Sequence, residues 1–379
     1  MKKRIPFVFG KIVSEDTFCN RVEEKKLIKE YIDSAYSFWL FAPRRFGKSS
    51  LIKQVFKEIE SDTKTIYLDL YNIKTTDEFA RKYSKLIAQE LFNWKDDLKE
   101  LSKNIQSYFK KLYPSININE NGNPSLVLAK NSITEQEDIE TILNLPEKIA
   151  QERNIKICIA FDEFQEVERI DKFIINWMRS AFQNHQNVSY VFLGSKQTLM
   201  EHIFSSINSP FYEFAIKMDI KPIKREELFN FIEQKFKENK LTIYPETIND
   251  ILDKSGCHPH FTQYFASVVY NEILNEEDQK AENFSEKWME KIIDGQSLIF
   301  QNIFDQLTNS QRNILTALCY ISKDIFTNEA KEKYYLPVSS SLSRSLDSLQ
   351  KKDLIYKVGK EYKISNPVLK YWLIQLNEK

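Results

Sequence analysis

Glycine is nearly missing from this chain, with only 7 among 379 residues, while Lys, Ile, Asn and Phe are abundant. That bias fits an AT-rich coding sequence, and it means that a loop here seldom uses a glycine without a conformational reason. Paired cysteines are missing too. Cys19, Cys158, Cys257 and Cys319 are far apart and form no C-x-x-C, which argues against a disulfide framework or a zinc cluster and fits a reducing compartment. Charge of one sign is not in excess: 54 basic residues face 54 acidic ones, so no global field points to nucleic acid or membrane. No run of 18 apolar residues occurs, and Gly10 and Lys11 interrupt the N-terminus before it can serve as a signal core. The expectation is a soluble, cytoplasmic protein without a membrane partner. Its length suits two or three domains.

What the chain does contain is organised around Ser37 to Phe56, SFWLFAPRRFGKSSLIKQVF. Phe38 to Phe41 has the length and aromatic content of a buried strand. From Ser49 onward, Leu51, Ile52, Val55, Phe56 and Ile59 recur at helical spacing. Between them lies A-P-R-R-F-G-K-S, so the layout is strand, Gly-Lys-Ser loop, helix, as in a P-loop. Successive backbone N–H groups in such a loop converge on an anion, and the helix N-terminus adds partial positive charge. Pro43, Arg44, Arg45, Phe46, Gly47 and Ser50 would then line the phosphates. Lys48 would reach the β- and γ-phosphates of ATP or the β-phosphate of ADP, and Ser49 would bind Mg²⁺. Ala42 holds the place of the first glycine in the usual pattern. Arg44 and Arg45 bind phosphate, pair with acids or face solvent; the sequence leaves all three open.

A second buried strand, Ile157 to Phe161, ends in Asp162-Glu163. The first acid suits Mg²⁺, and the second suits the role of general base toward water. An acidic turn after a core strand is the plainer alternative. A third apolar strand, Val188 to Leu193, runs into Gly194-Ser195. In parallel sheets ligands sit at the carboxyl ends of the strands, so Lys48, Asp162, Glu163 and Ser195 should meet at one edge. Ser195 is either a γ-phosphate sensor or a satisfied loop hydroxyl. Arg179, one helix earlier, is either an arginine finger toward a neighbouring subunit or a solvated side chain.

The remainder reads more coarsely. A helix begins near Asn20, Lys64 to Asn72 is a strand, Thr76 to Leu112 is amphipathic helix, and Pro114 to Ala129 is a hairpin insertion. Phe211 to Ile223 reads as a last strand. Helices follow at Arg225 to Asn239, Pro245 to Lys254 and His258 to Leu274, joined by SGCHPHFTQYF. There Gly256 ends one helix and Pro259 begins the next. His258 and His260 are too few for a metal site, and His258 faces a nucleotide only if this region closes over the P-loop. From Ile299 to Lys379, two amphipathic helices and a hairpin at Gly359-Lys360 give a winged helix-turn-helix. Basic residues there outnumber acidic ones 12 to 8. Its second helix should expose Ser341, Arg344, Asp347 and Ser348, with Lys351 and Lys352 at its end. That surface leaves DNA binding and protein docking both open.

Taken together, FCNRVEE, APRRFGKSSL, CIAFDEFQEV, FLGS, GCHPHFTQ and the C-terminal winged helix resemble the archaeal-type ATPase family. These are AAA+-like P-loop proteins near the STAND signalling ATPases and the origin-recognition initiators. The resemblance spans nearly the whole chain. It implies an α/β P-loop NTPase core with sheet order 5-1-4-3-2 at 1–223, a helical lid at 224–298 and a winged helix at 299–379. It also implies nucleotide contact by the turn from Gly256 to Pro259, where Cys257 replaces a family glycine. The activity implied is Mg²⁺-dependent ATP hydrolysis that moves lid and winged helix. The alternatives are a nucleotide-switched DNA-binding protein, touching DNA through Arg344, Lys351 and Lys357, and a STAND-like scaffold whose partner is another protein or a second copy of this chain.

Overall fold

The computed structural model describes residues 5–11, 18–19, 21–92, 108, 113–118, 124–129, 131–220, 222–275 and 287–378. The helix start expected at Asn20, most of the helical reading beyond Phe92 and the hairpin turn at 119–123 lie outside the described residues. The chain forms two compact units. One is Arg21–Lys221; the other joins Met1–Asn20 to Pro222–Lys379.

The Arg21–Lys221 unit is built on a five-stranded parallel sheet. Its strands are β1 (Phe38–Phe41), β2 (Thr63–Asp69), β5 (Lys156–Asp162), β6 (Val188–Gly194) and β7 (Ile216–Asp219). The separate strands β3 (Pro114–Ile118) and β4 (Pro124–Leu128) pair as an antiparallel hairpin. The sheet order β2-β5-β6-β1-β7 is 5-1-4-3-2 when its five strands are numbered by themselves. β5 and β6 are central and read as continuous apolar runs because helices cover both faces. All seven residues of β6 are buried, as are six of the seven in β5. Aromatic stacking fills the space between layers: Trp39 lies on Phe204 with rings 9° apart, and Phe161 lies against Phe192 and Phe182. Each fully buried ring of this kind contributes about 1.5–3 kcal/mol.

One strand is shorter than the sequence suggests. Only Ile216–Asp219 pairs with β1, whereas Ser209 to Phe214 turns back on itself. The apolar run misled because Phe211 is fully buried from a turn, in the core rather than in the sheet.

In the other unit, helices Arg225–Glu238, Pro245–Ser255 and Pro259–Asn275 precede Lys287–Asp305, a helix that runs through position 298. Phe7 anchors the N-terminal segment among Phe231, Phe236 and Tyr270. Asn309–Tyr320 opens with a capping box between Thr308 and Gln311. Ser339–Lys351 buries Leu342, Leu346 and Leu349, and β8 (Ile355–Val358) pairs with β9 (Glu361–Ile364) to form the wing. Ser348 is not on the open face as expected. It accepts a hydrogen bond from the Gln311 amide, leaving Arg344 and Asp347 exposed. The four cysteines are free thiols, and no helix among the described residues is long and apolar enough to cross a membrane.

Candidate functional site

Strand register decides what meets at the sheet's carboxyl rim. Phe41 lies level with Gly194, and Asp69 with Asp162. The loop after β1, the acids closing β5 and the serine after β6 therefore leave the sheet at one height.

Gly47 begins that loop's exit into the helix Lys48–Ile59. Its φ of 86° is strained for any residue with a Cβ, although a Cβ there would meet nothing within 4 Å. The requirement is conformational, not spatial. The helix start carries no capping side-chain hydrogen bond and no acidic residue in its own first turn. Ala42 is buried and lies outside the left-handed region, so the missing first glycine costs the backbone no strain there. Lys48 is buried and curls into the loop, donating to the carbonyl of Ala42 at 2.7 Å and of Pro43 at 3.4 Å. Arg44 and Arg45 are exposed at the crest, Arg45 with a φ of 64°. Phe46 turns its ring into the protein, and its carbonyl accepts from Arg21 at 3.1 Å. Ser50 is buried one residue beyond Ser49.

Asp162 is reached from two other segments. The Ser49 hydroxyl donates to its Oδ2 at 2.7 Å, and the Tyr67 hydroxyl donates to the same atom. Its Oδ1 accepts the Glu163 N–H at 2.9 Å. Burial pushes the Tyr67 phenol well up, and the Asp162 charge adds to that, so the group stays a protonated donor. Asp69 on the neighbouring strand is raised above the ordinary carboxylate range, first by burial and then by repulsion from Asp162 and Glu163.

Glu163 adopts a left-handed φ of 51°, a strained conformation for a residue with a Cβ. Its Oε2 accepts the Ser195 hydroxyl at 2.7 Å and also the Gln165 amide. Gln165, itself buried, takes the Ser195 N–H on its Oε1 at 3.2 Å. A Cβ on Gly194 would lie 2.3 Å from Met200 Sδ and 2.9 Å from Gln165 Oε1, so only glycine fits there.

Lys48, Ser49, Asp162, Glu163 and Ser195 thus gather along one rim. Arg179 does not join their network: its guanidinium lies over the Phe214 ring, 4.7 Å from the centroid. His258 and Pro259 belong to the other unit. There Gly256 and Cys257 both take left-handed φ values, 60° and 54°, before Pro259 starts its helix, and the buried His258 ring packs edge-on against Phe261. Tyr67, Gln165 and Arg21 went unnoticed in the sequence. The alternation of β2 and the Gln two places after Glu163 were the only signals available.

A parallel 5-1-4-3-2 sheet with a Gly-Lys-Ser loop after its first strand and paired acids closing its third is the layout of a P-loop NTPase. Residues 18–263 match the family described as an ATPase domain predominantly from Archaea, and the chain belongs to that family. Residues 298–375 match a probable winged helix domain. A comparison with curated proteins finds no match. Among solved structures, a Walker-type ATPase of Pyrococcus abyssi is similar with a TM-score of 0.65 at 20% identity, covering 96% of this chain and 98% of that one. The Aeropyrum pernix ORC2 protein, solved as ADPNP-ADP complexes, gives 0.53 at 12% identity, over 98% of this chain and 100% of its own. The Aeropyrum pernix ORC1 protein in complex with DNA gives 0.50 at 11%, over 95% and 93%.

Proposed function

We propose that this chain binds Mg-ATP at the rim formed by Lys48, Ser49, Asp162, Glu163 and Ser195, and hydrolyses it. The observation that carries the reading is the 2.7 Å hydrogen bond from Ser49 to Asp162, which joins two segments far apart in sequence at the mouth of the loop. ADP and ADPNP in the solved ORC2 complexes, on the same fold, support a nucleotide as the ligand.

The residues fit magnesium. A hydroxyl and a carboxylate are hard oxygen donors, and magnesium keeps most of its shell as water and substrate phosphate. Ser49 and Asp162 would hold it, and when bound it neutralises charge on the phosphate oxygens. Lys48 would exchange its loop carbonyls for the β- and γ-phosphates, alongside the N–H groups of Arg44 to Ser50, with Pro43, which has no N–H, shaping the loop's entry. Glu163 would take the proton of the attacking water. Ser195, tied to Glu163, would report the state of the γ-phosphate. Arg179 is retained as a candidate finger toward a second copy. His258 and Pro259 are retained as candidate nucleotide contacts from the lid. In this proposal turnover moves the unit that carries the lid, 224–298, and the winged helix, 299–379, together with the N-terminal segment, relative to the unit Arg21–Lys221.

Binding of a fluorescent ATP analogue and phosphate release test the reading. Lys48→Ala should lose binding. Glu163→Gln should bind normally and turn over about 10²–10⁴-fold more slowly; unchanged turnover would remove Glu163 from its role. Molecular mass in ADP and in a non-hydrolysable analogue tests the rearrangement and any assembly. A second reading, nucleotide-switched nucleic-acid binding by the winged helix, draws support from the lysines of the wing, and phosphate release with and without DNA tests it.

A further inference from the structure

The wing overhangs a concave groove of ≈ 810 Å³ that the ATPase reading does not use. One wall is the inner face of the wing, with Lys357, Lys360 and Tyr362; the floor is the turn carrying Lys323 and Phe326. The Lys357 ammonium sits 5.3 Å from the centre of the Tyr362 ring. Phe326 in the turn is 42% exposed and Val358 in the wing is 50% exposed, so two large apolar residues from separate segments face solvent at the groove. Two acids, Asp324 and Glu361, complete the lining, and Glu361 pairs with Lys323 at 3.0 Å.

We infer that this groove binds single-stranded nucleic acid, taking one unstacked base against Phe326 with the flanking phosphates on Lys357 and Lys360, Lys323 being held by Glu361. Three arguments favour that occupant. The site is a pocket of ligand size, which admits a base but not the smooth flank of a duplex. A flat aromatic beside lysines matches the alternation of base and phosphate in a single strand. The two carboxylates accept hydrogen bonds from the N–H edges of bases, thymine N3–H included, which the side chains of an acidic peptide lack. By contrast, the open face of the helix Ser339–Lys351 offers Arg344 opposed by Asp347 and no exposed aromatic, its further cations, Lys351 and Lys352, lying only at its end. The inference is independent of ATP hydrolysis but rests on the second reading, nucleic-acid binding by the winged helix, for which it names the ligand class and the site.

The test is fluorescence anisotropy of labelled dT20 with the full chain, in EDTA and without ATP, across a salt series. A 20-base-pair duplex and labelled polyglutamate serve as rival probes. The single strand should bind more tightly than the duplex. Phe326→Ala should weaken it about 10-fold and Phe326→Trp should preserve it. Lys357→Gln with Lys360→Gln should reduce the slope of log K against log salt by about 1.4, and this holds as an independent check if Phe326→Ala fails to fold. Arg344→Ala should leave the affinity unchanged. Excess AMP competing with dT20 would support the base-and-phosphate chemistry, while binding of AMP with none of dT20 would overturn the assignment to a strand. Tighter duplex binding, a loss on Arg344→Ala but none on Phe326→Ala, capture of polyglutamate instead of dT20, or no binding to any probe would each overturn it.

Discussion

Gly194→Ala probes the link between packing and the candidate site. The new methyl would lie 2.3 Å from Met200 Sδ and 2.4 Å from its Cγ, well inside contact distance. Met200 is fully buried and Gln165 is 3% exposed, so neither has room to retreat. Overpacking of this kind costs about 1–3 kcal/mol. For a unit of roughly 200 residues this corresponds to a fall in Tm of about 2–12 °C. The third contact, 2.9 Å to Gln165 Oε1, carries the strain into the site. Gln165 would have to loosen its hold on the Ser195 N–H and the Glu163 carboxylate. Phosphate release should therefore drop while binding of the ATP analogue holds, because Lys48 and its loop are untouched. Thermal unfolding and turnover are measured for Gly194→Ala, Met200→Ala and the double variant. If the clash is real, Gly194→Ala costs less in the Met200→Ala background, since the offending atoms are gone. An unchanged Tm for Gly194→Ala, or the same cost in both backgrounds, would refute the reasoning.

Tyr67→Phe removes one of the two hydroxyl donors on Asp162 Oδ2. Magnesium affinity, read by titrating the metal against analogue fluorescence, should weaken about 10-fold, with metal-free nucleotide binding unchanged. His185, half-buried between Tyr190 and Asn144, has its pKa pushed down to about 4 by loss of solvent around the ring. The unfolded chain takes up the proton below pH 6.5 and the folded one does not. Stability is therefore lost as pH falls from about 6.5 toward 4, by up to about 3 kcal/mol, and His185→Gln should flatten the Tm profile over that window. Cys257 holds a left-handed φ of 54°, so Cys257→Gly should raise the Tm through relief of about 1 kcal/mol of backbone strain; a lower Tm would mean that the thiol's packing outweighs it.

The P-loop was legible because its signals are local: an apolar strand, a Gly-Lys-Ser step and a helical period lie within twenty residues. Asp162, Glu163 and Ser195 were legible for the same reason, each closing an apolar run whose end marks the rim. The strand order was not written in any spacing; it came through the family resemblance, and the register pairs confirm it. Tyr67 and Gln165 were hidden because their roles depend on which strand lies beside which. Met200 was hidden because its conflict with a Cβ at position 194 exists only once helix and strand are packed. Phe211 shows the converse failure: a buried aromatic run looks like a strand even where the backbone turns.

The unit that holds Phe7 is closed by residues that are made long after it. Roughly 220 residues separate Phe7 from Phe231, the first of the rings around it. At ribosomal rates that interval is on the order of 10–50 s. The nucleotide-binding unit, contiguous from Arg21 to Lys221, emerges whole during the wait. Synthesis thus imposes an order: the inserted unit can fold first, while Phe7 stays without its partner rings until they are translated.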